Sequence, residues 1–389
     1  MCERRARYAG CVAEPFKNLI NEGTVRAMAA HLSRVAPRFP ARRFVALALP
    51  GLDVLEMKAR AMQLCEALQA TLPDEFDSAA SWLEAALAPA QADDRSGDQT
   101  FDDTQGLAGW SLWAAGEFVA RRGLDHPERA LQALHAITQR FTAEWALRPF
   151  VLRHPQLTFA TLARWVDDPS EHVRRLVSEG TRPRLPWGLQ LKTLIDDPSP
   201  TLPLLRALQD DASATVRRSV ANHLNDIAKD HPELVASWVH EHLADASSER
   251  RALLRHASRT LIKRGHPTTL HAWGLGKPLR GEVSLKVSPI RAKAGGAVQL
   301  TVVLKSGSRS SQRLAIDYVW HRVVANGGLA PKVFKGWTLE LPAGETRTLI
   351  KRHSLREVTT RRLYAGRHEI ELQVNGRSAA RAAFRVSVP

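Results

Sequence analysis

The stretch DDPSEHVRR at residues 167–175 returns as DDASATVRR at residues 210–218, and this recurrence decides the fold. The offset of 43 residues lies within the roughly 40 to 47 residue period of HEAT-like helix pairs. In each copy an Asp or Ser is placed to cap a helix whose apolar face packs on the next helix. The repeat predicts an all-α solenoid over at least residues 107–272.

A second spacing supports the same period. From His154 the chain reaches Asp168 after 14 residues, and from His231 it reaches Asp245 after the same 14. Each histidine precedes a proline, a pair that is typical of a helix start rather than of a metal ligand. Further helices are predicted near 24–36, 52–70 and 78–88, and the acidic segment 89–106 is predicted to be a mobile loop.

The hydrophobic period changes from helical to two after the sequence Trp273-Gly274-Leu275-Gly276. About seven short strands follow, separated by glycine and proline turns, which is the number in an immunoglobulin-like sandwich. This stretch has no cysteine, so it has no antibody-type disulfide. The fold predicted is therefore multidomain, an all-α HEAT-like solenoid followed by an all-β immunoglobulin-like sandwich. The predicted strands are 283–287, 297–304, 314–320, 337–341, 347–351, 370–374 and 384–388.

Positive charge is concentrated in the predicted sandwich. Residues 276–389 hold 21 Lys and Arg against 7 Asp and Glu, whereas residues 1–275 hold 34 against 33. A basic module of this kind indicates a polyanionic partner, nucleic acid first and an anionic membrane second, because neutralising phosphates releases counterions. A merely solubilising surface would give the same composition.

The remaining composition excludes several classes of protein. Cys2, Cys11 and Cys65 have neither CxxC spacing nor neighbouring histidines, which argues against a disulfide framework and a zinc site. The charged start is not followed by an apolar signal core, and no apolar run reaches the roughly 20 residues of a membrane span. We therefore expect a soluble cytoplasmic protein without cofactor or metal, since no phosphate-binding, metalloprotease or nucleophile motif is present.

Glu144 stands where a charged side chain is unexpected. The sequence predicts one helix whose apolar face runs through Ile137, Phe141 and Trp145, and Glu144 shares that face. Such a carboxylate is either paired, with Arg148 four residues on as the obvious partner, or used in function. The pattern leaves both interpretations open.

Glu179 precedes the unusual run GTRPRLPWG at residues 180–188. Its two prolines exclude a helix, so we predict a structured loop that presents Arg182, Arg184 and Trp187. Basic groups beside an aromatic ring suit contact with a nucleic-acid backbone together with base stacking. A proline-rich connection with a buried tryptophan would fit the same run.

Two further patterns involve basic residues. Arg218, Asn222 and Asp226 are spaced by four residues and share one face of a predicted helix, as a solvated face also would. The pairs Arg174-Arg175 and Arg217-Arg218 occupy the same place in successive repeats, so stacking would align them in a row. Such a row can follow phosphates, although HEAT units also use arginine to bridge neighbouring repeats.

Several long motifs resemble the AlkC family of DNA alkylation-repair glycosylases. AEPFKNLIN at 13–21 is similar to the start of that family, so residues 1–12 are expected to form an extension. The resemblance makes residues 13–275 the HEAT-like catalytic and DNA-binding domain, and residues 277–389 resemble the immunoglobulin-like domain of one subgroup. The motifs are EWALRPF at 144–150, VRRLVSEGTRPRLPWG at 173–188 and VRRSVANHLNDIAKDHPEL at 216–234.

This resemblance implies a monomeric enzyme that acts on alkylated duplex DNA. It would remove 3-methyladenine and related N-methylated bases such as 3-methylcytosine, without a pocket for a flipped base. Its acids carry over onto Glu144, Glu179 and Asp226 and its aromatic onto Trp187, whereas Trp145 replaces an expected phenylalanine. The DNA contacts we then predict are Trp187 and Arg148, Arg174, Arg175, Arg182, Arg184, Arg217 and Arg218.

Two rival functions fit the residues alone. A non-enzymatic HEAT-repeat scaffold or nucleic-acid binder would use the same acids structurally and would release no methylated base. A sandwich that binds a membrane surface or a protein would prefer anionic vesicles, or its protein partner, to DNA.

Overall fold

The computed structural model describes residues 15–90, 104–357 and 362–388. The predicted extension 1–12 and most of the acidic segment 89–106 lie outside these residues. The chain forms two compact units that divide after Asp226. Within the described residues no helix is both long enough and apolar enough to cross a membrane.

Helices account for the first two thirds of the described chain, as the repeats predict. The predicted helices near 24–36, 52–70 and 78–88 are present, although the second begins with a 3-10 turn at Leu52–Val54. The helices are α1 (Glu22–Val35), α2 (Ala41–Ala48), α3 (Met57–Gln69), α4 (Phe76–Ala86), α5 (Ser111–Arg122), α6 (Pro127–Thr138), α7 (Arg148–Arg153), α8 (Pro155–Trp165), α9 (Glu171–Gly180), α10 (Lys192–Asp196), α11 (Leu202–Leu208), α12 (Ala214–Ile227), α13 (Pro232–Leu243), α14 (Ser248–Ala257), α15 (Arg259–Lys263) and α16 (Pro267–Ala272).

The sequence repeat is also a structural repeat. The Asp168 carboxylate accepts a hydrogen bond from the Ser170 backbone N–H at 2.9 Å, immediately before α9. The corresponding bond before α12 joins Asp211 to the Ser213 N–H at 2.8 Å. Both bonds turn the chain into a helix at the same point of each repeat, which is why these residue types recur.

His-Pro pairs begin four of the helices. The prolines stand at the first position of α6, α8, α13 and α16, and each preceding histidine occupies the cap position. Proline suits this position because the first N–H of a helix has no partner within it. The prediction that these pairs mark helix starts is confirmed.

Two antiparallel sheets form the C-terminal sandwich. The strands are β1 (Gly281–Ser288), β2 (Arg291–Lys293), β3 (Ala297–Ser306), β4 (Gln312–Val323), β5 (Leu329–Leu341), β6 (Thr346–Ser354), β7 (Gly366–Val374) and β8 (Arg377–Ser387). One sheet has the order β1-β3-β6 and the other β2-β8-β7-β4-β5, and among these described strands only β2 is parallel to its neighbour. The short β2 was not predicted, and β5 begins eight residues before the predicted 337–341 because Pro331 is tolerated on an edge strand.

The second unit joins helices α13–α16 to the sandwich. Ile262, Leu270 and Leu275 from the helical part are buried against Ala315 of β4. Gly265 and Gly376 meet backbone to backbone, and a Cβ built on Gly376 would lie 2.3 Å from the Gly265 Cα. The change from helix to strand falls at the predicted place, between α16 and β1, but the last helices pack with the strands as one unit.

Candidate active site

Arg182 links two buried carboxylates in the first unit. Glu179 lies in the last turn of α9 and Asp226 lies near the end of α12. The Arg182 Nη1 donates to Glu179 Oε1 at 2.6 Å, and its Nε and Nη2 donate to Asp226 Oδ2 at 2.9 and 2.8 Å. Glu179 is 6% exposed and Asp226 is 2% exposed. One guanidinium therefore holds the two acids side by side.

Glu144 is held by a different arginine. Its Oε2 accepts a hydrogen bond from Arg175 Nη2 at 2.8 Å and from the Thr142 hydroxyl at 2.9 Å. The predicted helix through Ile137 and Trp145 is wrong, because α6 ends at Thr138 and Glu144 lies in the turn that precedes α7. The Glu144 carboxylate is nevertheless buried and paired. Its partner is Arg175 of α9 and not Arg148, four residues further along the chain.

These five side chains form one electrostatic group, which we call the acid cluster: Glu144, Glu179, Asp226, Arg175 and Arg182. Arg175 interacts electrostatically with Glu179 as well as with Glu144, so it connects the two halves. Arg148, a buried cation, also interacts electrostatically with Glu144, Glu179 and Asp226, so the three carboxylates are balanced by three guanidiniums. Carboxylates fixed by such pairing can still present negatively charged oxygens to a cationic group.

Glu179 is kept ionised by its surroundings. Burial acts to raise the pKa of Glu179, but Arg175, Arg182 and a hydrogen bond from Ser219 outweigh it and lower that pKa below its usual value. The Ser219 hydroxyl donates to Glu179 Oε2 at 2.6 Å. Both oxygens of Glu179 are therefore bonded, and the carboxylate is negatively charged at neutral pH.

Arg148 shapes the loop that carries Arg182. Its side chain is 0% exposed and donates to the carbonyl oxygens of Gly180 at 2.9 Å, Arg182 at 2.8 Å and Leu189 at 2.5 Å. Burial lowers the pKa of Arg148 to about 10, and the nearby Arg182 acts in the same direction, so Arg148 remains a cation at neutral pH. Two predictions are corrected. Arg148 does not pair with Glu144, and it has no exposed surface to offer DNA.

The loop at residues 181–191 presents Trp187 to solvent. The residues between α9 and α10 form no helix, as their prolines predict, and Trp187 is 53% exposed with φ of 62°. A tryptophan in this left-handed conformation is strained, so the surrounding contacts must impose it. The Trp187 carbonyl accepts a hydrogen bond from Lys58 Nζ at 3.0 Å.

Trp187 is an exposed member of a group of aromatic rings that extends into the protein interior. It stacks on Trp113 with ring centroids 5.8 Å apart and planes 14° apart, and Trp113 stacks on Trp145 at 4.2 Å. The Trp145 indole N–H donates to the Pro186 carbonyl at 3.1 Å, a bond that the expected phenylalanine could not make. We call this group the aromatic cluster; its members are Phe16, Trp110, Trp113, Phe141, Trp145 and Trp187.

The structure separates the predicted row of DNA-contacting arginines into side chains that are bonded within the protein and one that is exposed. Arg174 forms a two-pronged ion pair with Asp211 at 2.7 and 3.1 Å and thereby bridges two repeats. Arg174 and Arg217 also make the same bonds 43 residues apart, each donating to two carbonyls just before its own helix. Arg218, by contrast, is exposed.

The two arginines of the loop also differ in exposure. Arg182 is buried within the acid cluster, so the prediction that the loop presents it is wrong. Arg184 is half-buried.

Several residues of the site were not predicted. Ser219 bonds Glu179, and its hydroxyl also lies 3.0 Å from that of Ser178. Phe16 and Trp113 contact Trp187 from distant parts of the chain, and Trp110 contacts both of them. The spacing of Trp110 and Trp113 three residues apart, at the start of a helix, is the one sequence signal that could have indicated a shared aromatic face. A single serine on a helix carries no such signal.

Family models place both parts of the chain in a known class. The model described as "DNA alkylation repair enzyme" matches residues 137–261, and the model described as "Uncharacterised protein YhaZ, C-terminal Ig-like domain" matches residues 282–388. The chain thus combines a helical DNA alkylation repair domain with an immunoglobulin-like domain.

Two proteins are similar to the chain over nearly its whole length. The uncharacterized protein YhaZ of Bacillus subtilis (strain 168) is 32% identical over 373 residues, which are 95% of this chain and 99% of that protein. The structure of the Pseudomonas fluorescens alkylpurine DNA glycosylase AlkC, bound to DNA containing an abasic site analog, is 34% identical with a TM-score of 0.86 over 95% of this chain and 99% of its own. The chain belongs to the AlkC family of DNA alkylation repair enzymes.

Proposed function

We propose that this chain is a DNA glycosylase that hydrolyses the N-glycosidic bond of cationic N-methylated bases, 3-methyladenine and 3-methylcytosine, in duplex DNA. Its relative AlkC is an alkylpurine DNA glycosylase whose structure contains DNA with an abasic site analog. The observation that carries the proposal is the acid cluster, three buried carboxylates held in place by arginines, in the same unit as the exposed Trp187.

The chemistry of the lesion suits such a site. A base methylated at a ring nitrogen carries positive charge and leaves as a neutral molecule, so its departure needs no general acid. The remaining barrier is the positive charge that develops on the deoxyribose. Carboxylates held in place near that sugar stabilise the charge, and each roughly 1.4 kcal/mol gained is worth about tenfold in rate.

Glu179 and Asp226 are assigned to the sugar. They share the guanidinium of Arg182, so one rigid unit presents both negative charges. Glu179 is held ionised at neutral pH, the state that stabilises a cationic sugar. Preorganised charges of this kind need no rearrangement as the bond breaks, which is what makes them effective.

Glu144 is assigned to the attacking water. It is held separately from the Arg182 pair, by Arg175 and the Thr142 hydroxyl, and its side chain is 10% exposed, against 8% for Glu179 and 2% for Asp226. Its separate support, rather than its exposure, distinguishes it from Glu179, both oxygens of which are already bonded. A carboxylate with one accessible edge can accept a hydrogen bond from water and orient it toward the sugar. The Arg175 partner keeps that carboxylate in position while the water approaches.

DNA contacts are assigned to the surface that remains accessible. The exposed Trp187 ring is proposed to contact the lesion nucleotide, with the aromatic cluster supporting it from behind. The exposed Arg218 is proposed to contact a phosphate, and the basic sandwich is proposed to hold the duplex. The lesion itself is proposed to be read without a pocket for a flipped base, since a labile cationic base needs only modest acceleration.

Replacing Glu179 by Gln tests the proposal. The amide keeps the shape but loses the charge, so release of 3-methyladenine and of 3-methylcytosine from defined duplexes should fall at least about a hundredfold, on the order of 3 kcal/mol at the barrier. Binding to a duplex with an abasic-site analog should change little. Glu117→Gln is the matched control, because Glu117 is also paired with an arginine, Arg121, but lies outside the acid cluster.

Two outcomes would contradict the proposal. Unchanged base release by Glu179→Gln would remove this carboxylate from the mechanism. Absence of base release by the unaltered chain on either lesion, with DNA binding intact, would instead favour a non-enzymatic nucleic-acid-binding scaffold.

A further inference from the structure

A basic cavity lies within the second unit, at the seam between its helices and the sandwich. It has a volume of about 500 Å³ and is lined by side chains of α14, α15, β4 and β5. Four cationic side chains and one carboxylate stand in its wall, and we call the five together the basic cavity: Arg255, Arg259, Lys263, Lys335 and Asp317.

The carboxylate does not balance these cations. Burial raises the pKa of Asp317 above its usual value even though Lys263, Lys335 and Arg255 act to lower it. Burial likewise lowers the pKa of Arg255, with Asp317 opposing it. Arg255 and Asp317 are therefore partly desolvated, whereas Lys335 is exposed. The wall carries a positive excess, which favours a bound anion.

The cavity continues into a larger one. A neighbouring cavity of about 1030 Å³ shares Arg255, Lys335 and Thr338 with the first and adds Arg251, Arg313 and Glu340. Over both cavities, six arginine and lysine side chains and two carboxylates, Asp317 and Glu340, line the walls. The Arg255 guanidinium lies 5.1 Å from the centroid of the Trp273 ring, which fixes one side of it by cation–π contact.

We propose that this basic cavity is a binding site for a phosphate group, held by Arg255, Lys263 and Lys335 at the seam between α14–α15 and β4–β5. Arginine and lysine are the side chains that bind phosphate oxygens, arginine as a planar fork and lysine as a point charge. The chemistry is the same whether the phosphate belongs to a DNA strand or is free in solution, so the test has one arm for each source.

For a DNA phosphate, the basic cavity deepens the proposed role of the sandwich in holding the duplex, but it does not rest on the chemistry proposed for the acid cluster. Base release by the unaltered chain tests the acid cluster in the first unit, whereas phosphate binding in the basic cavity requires no chemistry. Either can fail while the other stands.

Replacing Lys263 and Lys335 by Ala in the full-length protein tests the site. The matched control is the double replacement of Lys286 and Lys293 by Ala, which removes the same charge from exposed positions of β1 and β2 outside the cavity. In the DNA arm, the slope of log K against log salt for duplex binding should fall by about 0.9 for each phosphate that the variant no longer neutralises, and more than in the control. In the second arm, the ³¹P resonance of inorganic phosphate is recorded with each protein. Binding to the unaltered protein should broaden this resonance, and the broadening should be smaller with Lys263→Ala/Lys335→Ala.

Asp317→Asn should change the affinity for phosphate in the direction opposite to the lysine variant. The amide oxygen can still accept the hydrogen bond that Asp317 Oδ1 receives from the Gly336 N–H at 3.2 Å, while the negative charge is gone. Phosphate or duplex DNA should therefore bind several-fold more tightly than to the unaltered protein. A gain in affinity cannot arise from misfolding, whereas a decrease could.

The outcomes separate the sources. A smaller salt slope alone supports a phosphate of the DNA backbone, and a weaker ³¹P effect alone supports free phosphate. The proposal is overturned if the lysine variant behaves as its control in both arms, or if Asp317→Asn binds no more tightly in either.

Discussion

The acid cluster and the basic cavity are built from the same residue types in different proportion. In the first unit, three carboxylates form their ion pairs with Arg175 and Arg182, and the buried Arg148 brings the number of guanidiniums to three. In the second unit, four cations and the single carboxylate of Asp317 line the basic cavity. The difference teaches that pairing and excess have separate meanings: carboxylates fixed by an equal number of guanidiniums form a preorganised site for a cationic sugar, whereas cations in excess favour a phosphate.

The largest effect is expected from removing the arginine at the centre of the acid cluster. Arg182→Met leaves Glu179 and Asp226 buried without their shared partner, and breaking such a buried pair costs about 3–5 kcal/mol. The free energy of unfolding, measured in urea, should fall by that amount. Arg218→Met, at an exposed position of the neighbouring helix, should change it by less than about 0.5 kcal/mol. Equal stability of the two variants would show that the acid cluster does not need its cation.

Trp187→Ala tests whether the acid cluster serves a nucleotide on its exposed side. Loss of a stacking ring should weaken binding to an abasic-analog duplex by about 1–3 kcal/mol, roughly ten- to a hundredfold. Protein stability should change less than on truncation of a buried ring, because the Trp187 side chain is 53% exposed and alanine keeps the same backbone strain. Leu189→Ala is the control, since Leu189 is exposed in the same loop at 55%. DNA affinity that is the same for both variants would remove Trp187 from the interface.

Sequence periodicity predicted the helices and strands, but not which side chains are bonded to each other in the acid cluster. The 43-residue repeat and the alternation after Trp273 indicate helices and strands because each depends on which face of an element is apolar. Glu144 illustrates the limit. Apolar spacing continued past Thr138, although the chain turns there, and the partner Arg175 lies 31 residues away in another helix.

The predictions that Arg148 and Arg182 are accessible to DNA were wrong for a related reason. A basic residue that binds phosphate and one that bonds a backbone carbonyl look identical in sequence. Arg148, with 0% exposure, and Arg218, which is exposed, are distinguished only by tertiary packing. Of the three acids, only Glu144 conflicted with an apolar pattern in the sequence, whereas the family resemblance was needed to assign Glu179 and Asp226 to the site.

Ser219→Ala should shift the pH dependence of the acid cluster. The Ser219 hydroxyl is one of the groups that lower the pKa of Glu179, so its removal should raise that pKa toward the ordinary value. A carboxylate with a depressed pKa is ionised, and contributes its stability and activity, above that pKa and loses them as the pH falls through it. The acid limb of the rate of base release should therefore move to higher pH.

Ser178→Ala is the control for that shift. The Ser178 hydroxyl lies 3.0 Å from Ser219 Oγ, so its effect on Glu179 is indirect, and a smaller displacement of the acid limb is expected. Identical pH profiles for Ser219→Ala and the unaltered protein would show that Ser219 is a packing residue only.

The smallest effect is expected from Arg217 and Arg218, which are neighbours in sequence but differ in hydrogen bonding and exposure. Arg217 donates to the carbonyls of Asp211 and Ala212, whereas Arg218 is exposed. Arg218→Met should lower the salt slope of duplex binding by about 0.9, the contribution of one phosphate, and leave the free energy of unfolding nearly unchanged. Arg217→Met should do the reverse, costing about 1 kcal/mol of stability with little change in slope. If both variants changed the slope equally, the two arginines would act as a phosphate-binding row despite the bonds of Arg217, and exposure would not be the property that separates binding from structural arginines in these repeats.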